Sequence, residues 1–142
     1  MLLVSMDGID WYARPSRPVP EETDPVDAHE LSDVVDRQAR SANPYLEFIR
    51  HPDISVGLYV LSVGGIDRQS PHTEDEVYYV VEGRGQITVG DETREVGPGS
   101  VIYVAATIPH RFHDITEALR ILVVFGPAEG SRGSTVAAGG RA

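Results

Sequence analysis

Hydrophobic spacing changes period once along this chain. Over residues 27–42, DAHELSDVVDRQARSA, the apolar positions Leu31, Val34 and Val35 recur at helical spacing, and Asp27 with Glu30 three positions later suits a capping box. The spacing predicts one helix, ended by Asn43-Pro44. Beyond it, runs rich in β-branched and aromatic residues alternate with turn residues: YLEFI, SVGLYVLSV, VYYVVEG, GQITVG, TREV, SVIYVAA, HRFHDI and LRILVVF. TVGDETREV predicts a hairpin with Gly90 and Asp91 at its tip. About eight short strands with no helix between them predict an all-β fold, an antiparallel jelly-roll β-barrel preceded by a short N-terminal helix, rather than parallel βαβ units. LYVLSV and ILVVF hardly alternate, so each expects cover on both faces. A second copy of the chain, giving a homodimer, is the expected cover; the N-terminal arm and helix are the alternative.

The flanks have a different texture. Residues 1–27 read as an arm that carries Pro15, Pro18, Pro20 and Pro25, and 130–142 as a glycine-rich flexible tail. Residues 28–129 are left as a single domain preceded by its helix, which the length of 142 residues permits and a second domain of ordinary size does not. Acidic residues outnumber basic ones 22 to 12, for a formal net charge of −10. That field opposes nucleic acid and anionic membrane surfaces as partners and leaves a small molecule as the expected one. With no cysteine, disulfides and thiolate ligands are excluded, so a metal would have to be held by nitrogen and oxygen. The N-terminus shows no basic region ahead of a long apolar run, which makes a cytoplasmic protein the default expectation.

Chemistry concentrates in SPHTEDEVYYVVEGRG, residues 70–85, and in IPHRFHD downstream. His72 precedes Glu76, and six residues separate Glu76 from Gly83. This segment resembles the first motif of the cupin superfamily, in which histidines precede a glutamate and then a glycine. A second cupin motif is recognisable from Gly99 through SVIYV to Ala105 and Thr107, where the family prefers proline and glycine, then His110, with Asp114 in place of asparagine. The resemblance spans about residues 56–126 and is that of a small single-domain cupin with an RmlC-like jelly roll. Ser70 stands where the family has its first histidine.

The resemblance implies one divalent ion inside the barrel, held here by His72, Glu76 and His110, with Gln69 or a water held by Ser70 in a fourth position. Two imidazoles and a carboxylate accept iron, manganese, nickel, cobalt or zinc without choosing among them. Glu74 and Asp75 read as a solvated acidic turn. His113 falls on the strand face opposite His110 and reads as exposed, and His29 and His51 read as solvated surface residues. Gly83, Gly85, Gly97 and Gly99 read as the corners of the roll. By alternation Tyr59, Tyr78, Tyr103 and Phe112 are candidate pocket walls, Tyr78 and Tyr103 being also the catalytic candidates. No cationic clamp stands out, since Arg68, Arg84 and Arg94 fall in turns or hairpin flanks and Arg111 points away from His110. A small neutral or weakly polar substrate fits better than a phosphorylated one.

Three functions follow. The first is a metal-dependent enzyme of the dioxygenase, isomerase or cyclase type that resembles this family; a cysteine–tyrosine thiol dioxygenase is excluded by the lack of cysteine. The second is a metal-free epimerase-like enzyme with His72 or His110 as base and Tyr78 or Tyr103 as acid. The third is a non-catalytic small-molecule binder.

Overall fold

The computed structural model describes residues 26–68 and 71–131. Of the expected arm (1–27) and tail (130–142), residues 1–25 and 132–142 therefore lie outside the described residues, as do Gln69 and Ser70. One helix, α1 (Leu31–Arg40), precedes six strands: β1 (Tyr45–His51), β2 (Ile54–Leu61), β3 (Asp75–Val89), β4 (Glu92–Val96), β5 (Val101–Val104) and β6 (His110–Gly126). All strand pairs are antiparallel, in the order β1-β2-β6-β3-β4, and β5 pairs with the first part of β3. The jelly-roll expectation holds in its antiparallel pairing and short leading helix. Among the described residues the hydrogen-bonded sheet runs from edge to edge without closing.

The helix starts later than the capping-box reading implies. Glu30 is the N-cap and makes no side-chain cap bond. Asp27 turns away from the helix and binds the Nε2 atoms of His29 (2.8 Å) and His51 (3.0 Å), which satisfies a carboxylate with two ring nitrogens instead of backbone N–H groups. These contacts hold its carboxyl below the usual range. α1 packs on β1 and β2, where Val34 and Leu58 are both buried.

Two pairs of predicted strands are each one long strand. VYYVVEG and GQITVG run together as β3, and HRFHDI and LRILVVF as β6. The glycines between the first pair do not turn the chain; they sit where the β3–β6 register shifts, between Val80 and Glu82, Glu82 and Arg84, and Arg84 and Gln86. Bulges of this kind bend a ladder without ending it, and here they curl the two longest strands around the core. The predicted hairpin is present: Val89 pairs with Glu92 across Gly90 and Asp91, with Gly90 at φ +58°. Inside the curl lies one apolar cluster, in which Tyr78, Ile87, Phe112, Leu119, Ile121 and Phe125 are fully buried.

Candidate metal centre

Alternation along β3 sends Glu76 and Tyr78 inward and leaves Asp75 and Tyr79 outside. Glu76 pairs with Phe125 of β6 on one side and Val104 of β5 on the other, so its backbone is fixed in the middle of the sheet. His110 is the first residue of β6 and faces the same interior as Phe112. His72 precedes β3 in an irregular segment; its carbonyl accepts a 2.6 Å hydrogen bond from the Thr107 N–H, and its ring stands edge-on to Phe125 at 5.0 Å.

These placements bring His72, Glu76 and His110 together, with one nitrogen or oxygen atom from each all within 4.8 Å of one another. His110 Nε2 lies 3.0 Å and His72 Nε2 4.0 Å from Glu76 Oε1. Glu76 is only 1% exposed. Yet neither of its carboxylate oxygens, nor His110 Nε2, makes a well-directed hydrogen bond among the described residues. A buried carboxylate left in that state costs several kcal/mol. A cation between the donors would offset the cost, so this donor set fits a divalent ion.

The tautomer of His110 is set from behind. Its Nδ1 lies 2.8 Å from the Ile108 carbonyl, which can only accept, so Nδ1 carries the proton and the neutral ring turns the lone pair of Nε2 toward Glu76. Burial pushes the His110 pKa down, but the Glu76 carboxylate, the Ile108 carbonyl and the charge of Asp67 together outweigh it and hold the value above the ordinary 6.5.

Aromatic residues form the surroundings. Tyr78 lies 6.0 Å from the His110 ring and 4.9 Å from Phe112. Tyr59 is buried and donates a 2.7 Å hydrogen bond to Asp67 Oδ1; burial and the neighbouring Asp67 and Glu76 charges push its hydroxyl pKa far up, so it stays a donor. Tyr103 departs from expectation: it is 60% exposed on the outer face of β5, because that short strand turns Ile102 and Val104 inward instead. We expect Tyr103→Phe to leave metal uptake unchanged within error in a cobalt titration.

Glu74 also departs from expectation. It is 1% exposed and accepts a 2.5 Å hydrogen bond from Thr73 Oγ1. Period-two alternation starts before the strand: His72, Glu74, Glu76 and Tyr78 are all buried, with Thr73, Asp75 and Val77 between them less so. That alternation is the available signal, masked by the turn-like composition of TED. Asp75 is exposed as expected and accepts the Ala106 N–H at 2.8 Å. His113 is on the face opposite His110 but is partly buried, bound to Thr88 Oγ1 (2.7 Å) and Asp114 Oδ2 (2.8 Å). His29 and His51 share Asp27 rather than standing alone. The buried Asp67 carries no sequence signal, since it lies in a loop with no periodicity.

Every permanently cationic side chain is an arginine, and among the described residues none is buried. Arg84 faces Glu117, Arg120 faces Glu82 and Arg50 faces Glu47. No described helix is long and apolar enough to cross a membrane.

A family model for the cupin domain matches residues 50–125. An uncharacterised protein of Streptomyces coelicolor is 51% identical over 102 residues, covering 72% of this chain and 97% of its own length. Among solved structures, a protein of Thermus thermophilus superposes with a TM-score of 0.61 at 24% identity, over 72% of this chain and 99% of that one. The DMSP lyase DddQ of Ruegeria pomeroyi superposes with a TM-score of 0.51 at 18% identity, over 54% of this chain and 39% of that one. At these identities the two structures share the fold.

Proposed function

Since the chain belongs to the cupin family, we propose that it holds one divalent metal ion at His72, Glu76 and His110 and acts on a small organic molecule, by chemistry of the dioxygenase, isomerase or cyclase type. The observation that carries this reading is the buried Glu76 carboxylate whose two oxygens lack directed hydrogen bonds while His110 Nε2 faces one of them at 3.0 Å. Iron, manganese, nickel, cobalt and zinc all suit the donor set. Bound there, such an ion would supply Lewis-acid polarisation of a substrate oxygen or, if redox-active, access to dioxygen. The protein's own part is to direct the Nδ1–H of His110 to the Ile108 carbonyl, so that Nε2 is the donor atom of the neutral ring, to keep Glu76 away from water, and to surround the donors with Tyr59, Tyr78, Phe112 and Phe125. Cupins bind small molecules, and the lack of a buried arginine among the described residues supports a neutral or weakly polar one here.

Uptake of Co2+ tests the site directly. A proton on His110 Nε2 competes with the metal, and the pKa of that ring is held above its ordinary value. Affinity is therefore expected to be full above that pKa and to fall below it by about tenfold per pH unit for each proton displaced, starting at higher pH than for a free histidine. A flat pH profile would contradict the assignment of His110. Turnover separates an enzyme from a binder: oxygen consumption or isomerisation of small phenols and organic acids is expected with loaded protein and to vanish in Glu76→Gln.

Metal-free acid–base catalysis is the second reading, favoured by the 3.0 Å His110–Glu76 contact, which can hold a proton. Its acid would be the buried Tyr78 rather than the outward Tyr103. A homodimer is proposed through the outer face, where Tyr79 pairs with Val101, and Tyr103 beside them pairs with the half-buried Val77, so that three exposed apolar side chains adjoin across two strands. Val101→Asp is expected to shift a dimer to monomer in sedimentation velocity.

A further inference from the structure

Asp67 is a buried carboxylate that stands outside the three-residue donor set. Its two oxygens do different work: Oδ1 accepts the Tyr59 hydroxyl at 2.7 Å, and Oδ2 accepts the backbone N–H of Phe112 at 2.9 Å. The second bond matters because of where β6 stands at that point. From Arg120 to Phe125 β6 is paired on both sides, with β2 and β3. From His110 to Glu117 only β3 pairs with it, so the other edge of this half-strand lacks a neighbouring strand among the described residues. A buried backbone N–H there needs another acceptor. Asp67 supplies it at Phe112, and three residues further on the Ile115 carbonyl accepts the Gly64 N–H at 3.0 Å. The loop after β2 thus takes the place of the missing strand, with one side-chain bond and one backbone bond.

His110 lies two residues before Phe112 on the same inward face, at the very start of this singly paired half-strand. Its cross-strand partner is Val89, the last residue of β3, beside the hairpin tip. A strand end held from one side frays; a second anchor two residues in restricts it. We propose that Asp67 is a positioning residue for His110: by bridging Phe112 of β6 to Tyr59 of β2, it fixes the direction in which the His110 ring enters the metal centre. This deepens the metal reading and rests on it for its consequence in function. The geometric claim stands on the metal-free protein alone.

The test uses the full chain with 13C,15N-labelled histidine and compares wild type, Asp67→Ala and Asp67→Asn, all checked for folding by circular dichroism. Asparagine can give its amide oxygen to the Phe112 N–H and its amide hydrogen to the Tyr59 oxygen, whereas alanine offers neither. In metal-free protein, at a pH where the His110 ring is neutral in every variant so that loss of the Asp67 charge does not alter its protonation, Asp67→Ala is expected to shift or broaden the His110 ring resonances and leave those of His29 and His51 in place, and Asp67→Asn to restore the wild-type His110 signals. Should Asp67→Ala fail to fold, Asp67→Leu, which fills the space and accepts no hydrogen bond, takes its place. Wild-type His110 resonances in a folded Asp67→Ala, or the same disturbance in Asp67→Asn as in Asp67→Ala, would overturn the proposal. Co2+ titration of the same proteins is expected to show affinity about 10- to 100-fold weaker in Asp67→Ala, with a shifted d–d absorption band, and near wild type in Asp67→Asn. A wild type that takes up no Co2+ removes the metal reading, while the histidine spectra still decide the role of Asp67.

Discussion

Purified without chelator or affinity-metal contact, the wild-type protein is expected to carry close to one equivalent of a single divalent transition metal, and the double variant His72→Ala, His110→Ala none. The three donors come from different parts of the chain, an irregular segment, the second residue of β3 and the first of β6, and converge within 4.8 Å. Removing both imidazoles leaves Glu76 alone, and a single carboxylate does not retain a transition metal through purification. The loss should exceed the roughly 10- to 100-fold that follows from removing a supporting residue. Elemental analysis reads it directly and names the ion. Thermal unfolding gives an independent measure: metal at a hundredfold excess over its Kd stabilises the wild type by about 2.7 kcal/mol and the double variant not at all. A wild type that is metal-free as purified and takes up none of the five candidate ions would leave acid–base catalysis or simple binding.

Gly83→Ala is expected to be the most damaging glycine-to-alanine change among the described residues. Gly83 has φ +98°, a conformation in which side-chain-bearing residues are strained by about 1–3 kcal/mol. A Cβ there would overlap the Ala118 carbonyl oxygen and lie 2.6 Å from Leu119 Cα, both backbone atoms of β6 that cannot swing aside. Relief requires β3 and β6 to part at the bulge around which they curl. The combined cost is expected to reach about 3 kcal/mol or more, a large share of a small domain's stability. Urea denaturation of the two proteins checks it. Gly99→Ala is the comparison: φ is +91°, but nothing lies within 4 Å of the added Cβ, so only the conformational strain is incurred. Equal losses at the two glycines would contradict the close-approach account.

Both predictions start from residues that stand out in the sequence, yet what the sequence says of them differs in kind. The spacing of His72, Glu76 and His110 points to one interior site, and the backbone carries them there. Gly83 is legible as a corner. Its actual role, a bulge inside one continuous strand, is not, because the glycines and charged residues of EGRG look alike whether a ladder bends or ends. Glu74 misleads for a related reason: the composition of TED favours a turn, and only the burial of His72 and Glu76 on either side shows that the alternation runs through it. Tyr103 satisfies alternation as a pocket wall in sequence and faces outward in the structure, since a four-residue strand leaves its phase undetermined until its register with β3 is known.

What the chain determined by itself is what rests on local spacing: one helix, antiparallel strands, an apolar interior, a nitrogen-and-oxygen donor set without cysteine, and a charge that opposes polyanions. Each follows from residue type and period over a few positions. What only the tertiary structure decided depends on contacts between distant segments. Asp27 leaves the helix cap for His51, Asp67 reaches across 45 positions to the N–H of Phe112, and the Ile108 carbonyl turns His110 Nε2 toward Glu76. The physical reason is that a buried polar group must find its partner somewhere, and sequence records the need without recording the place.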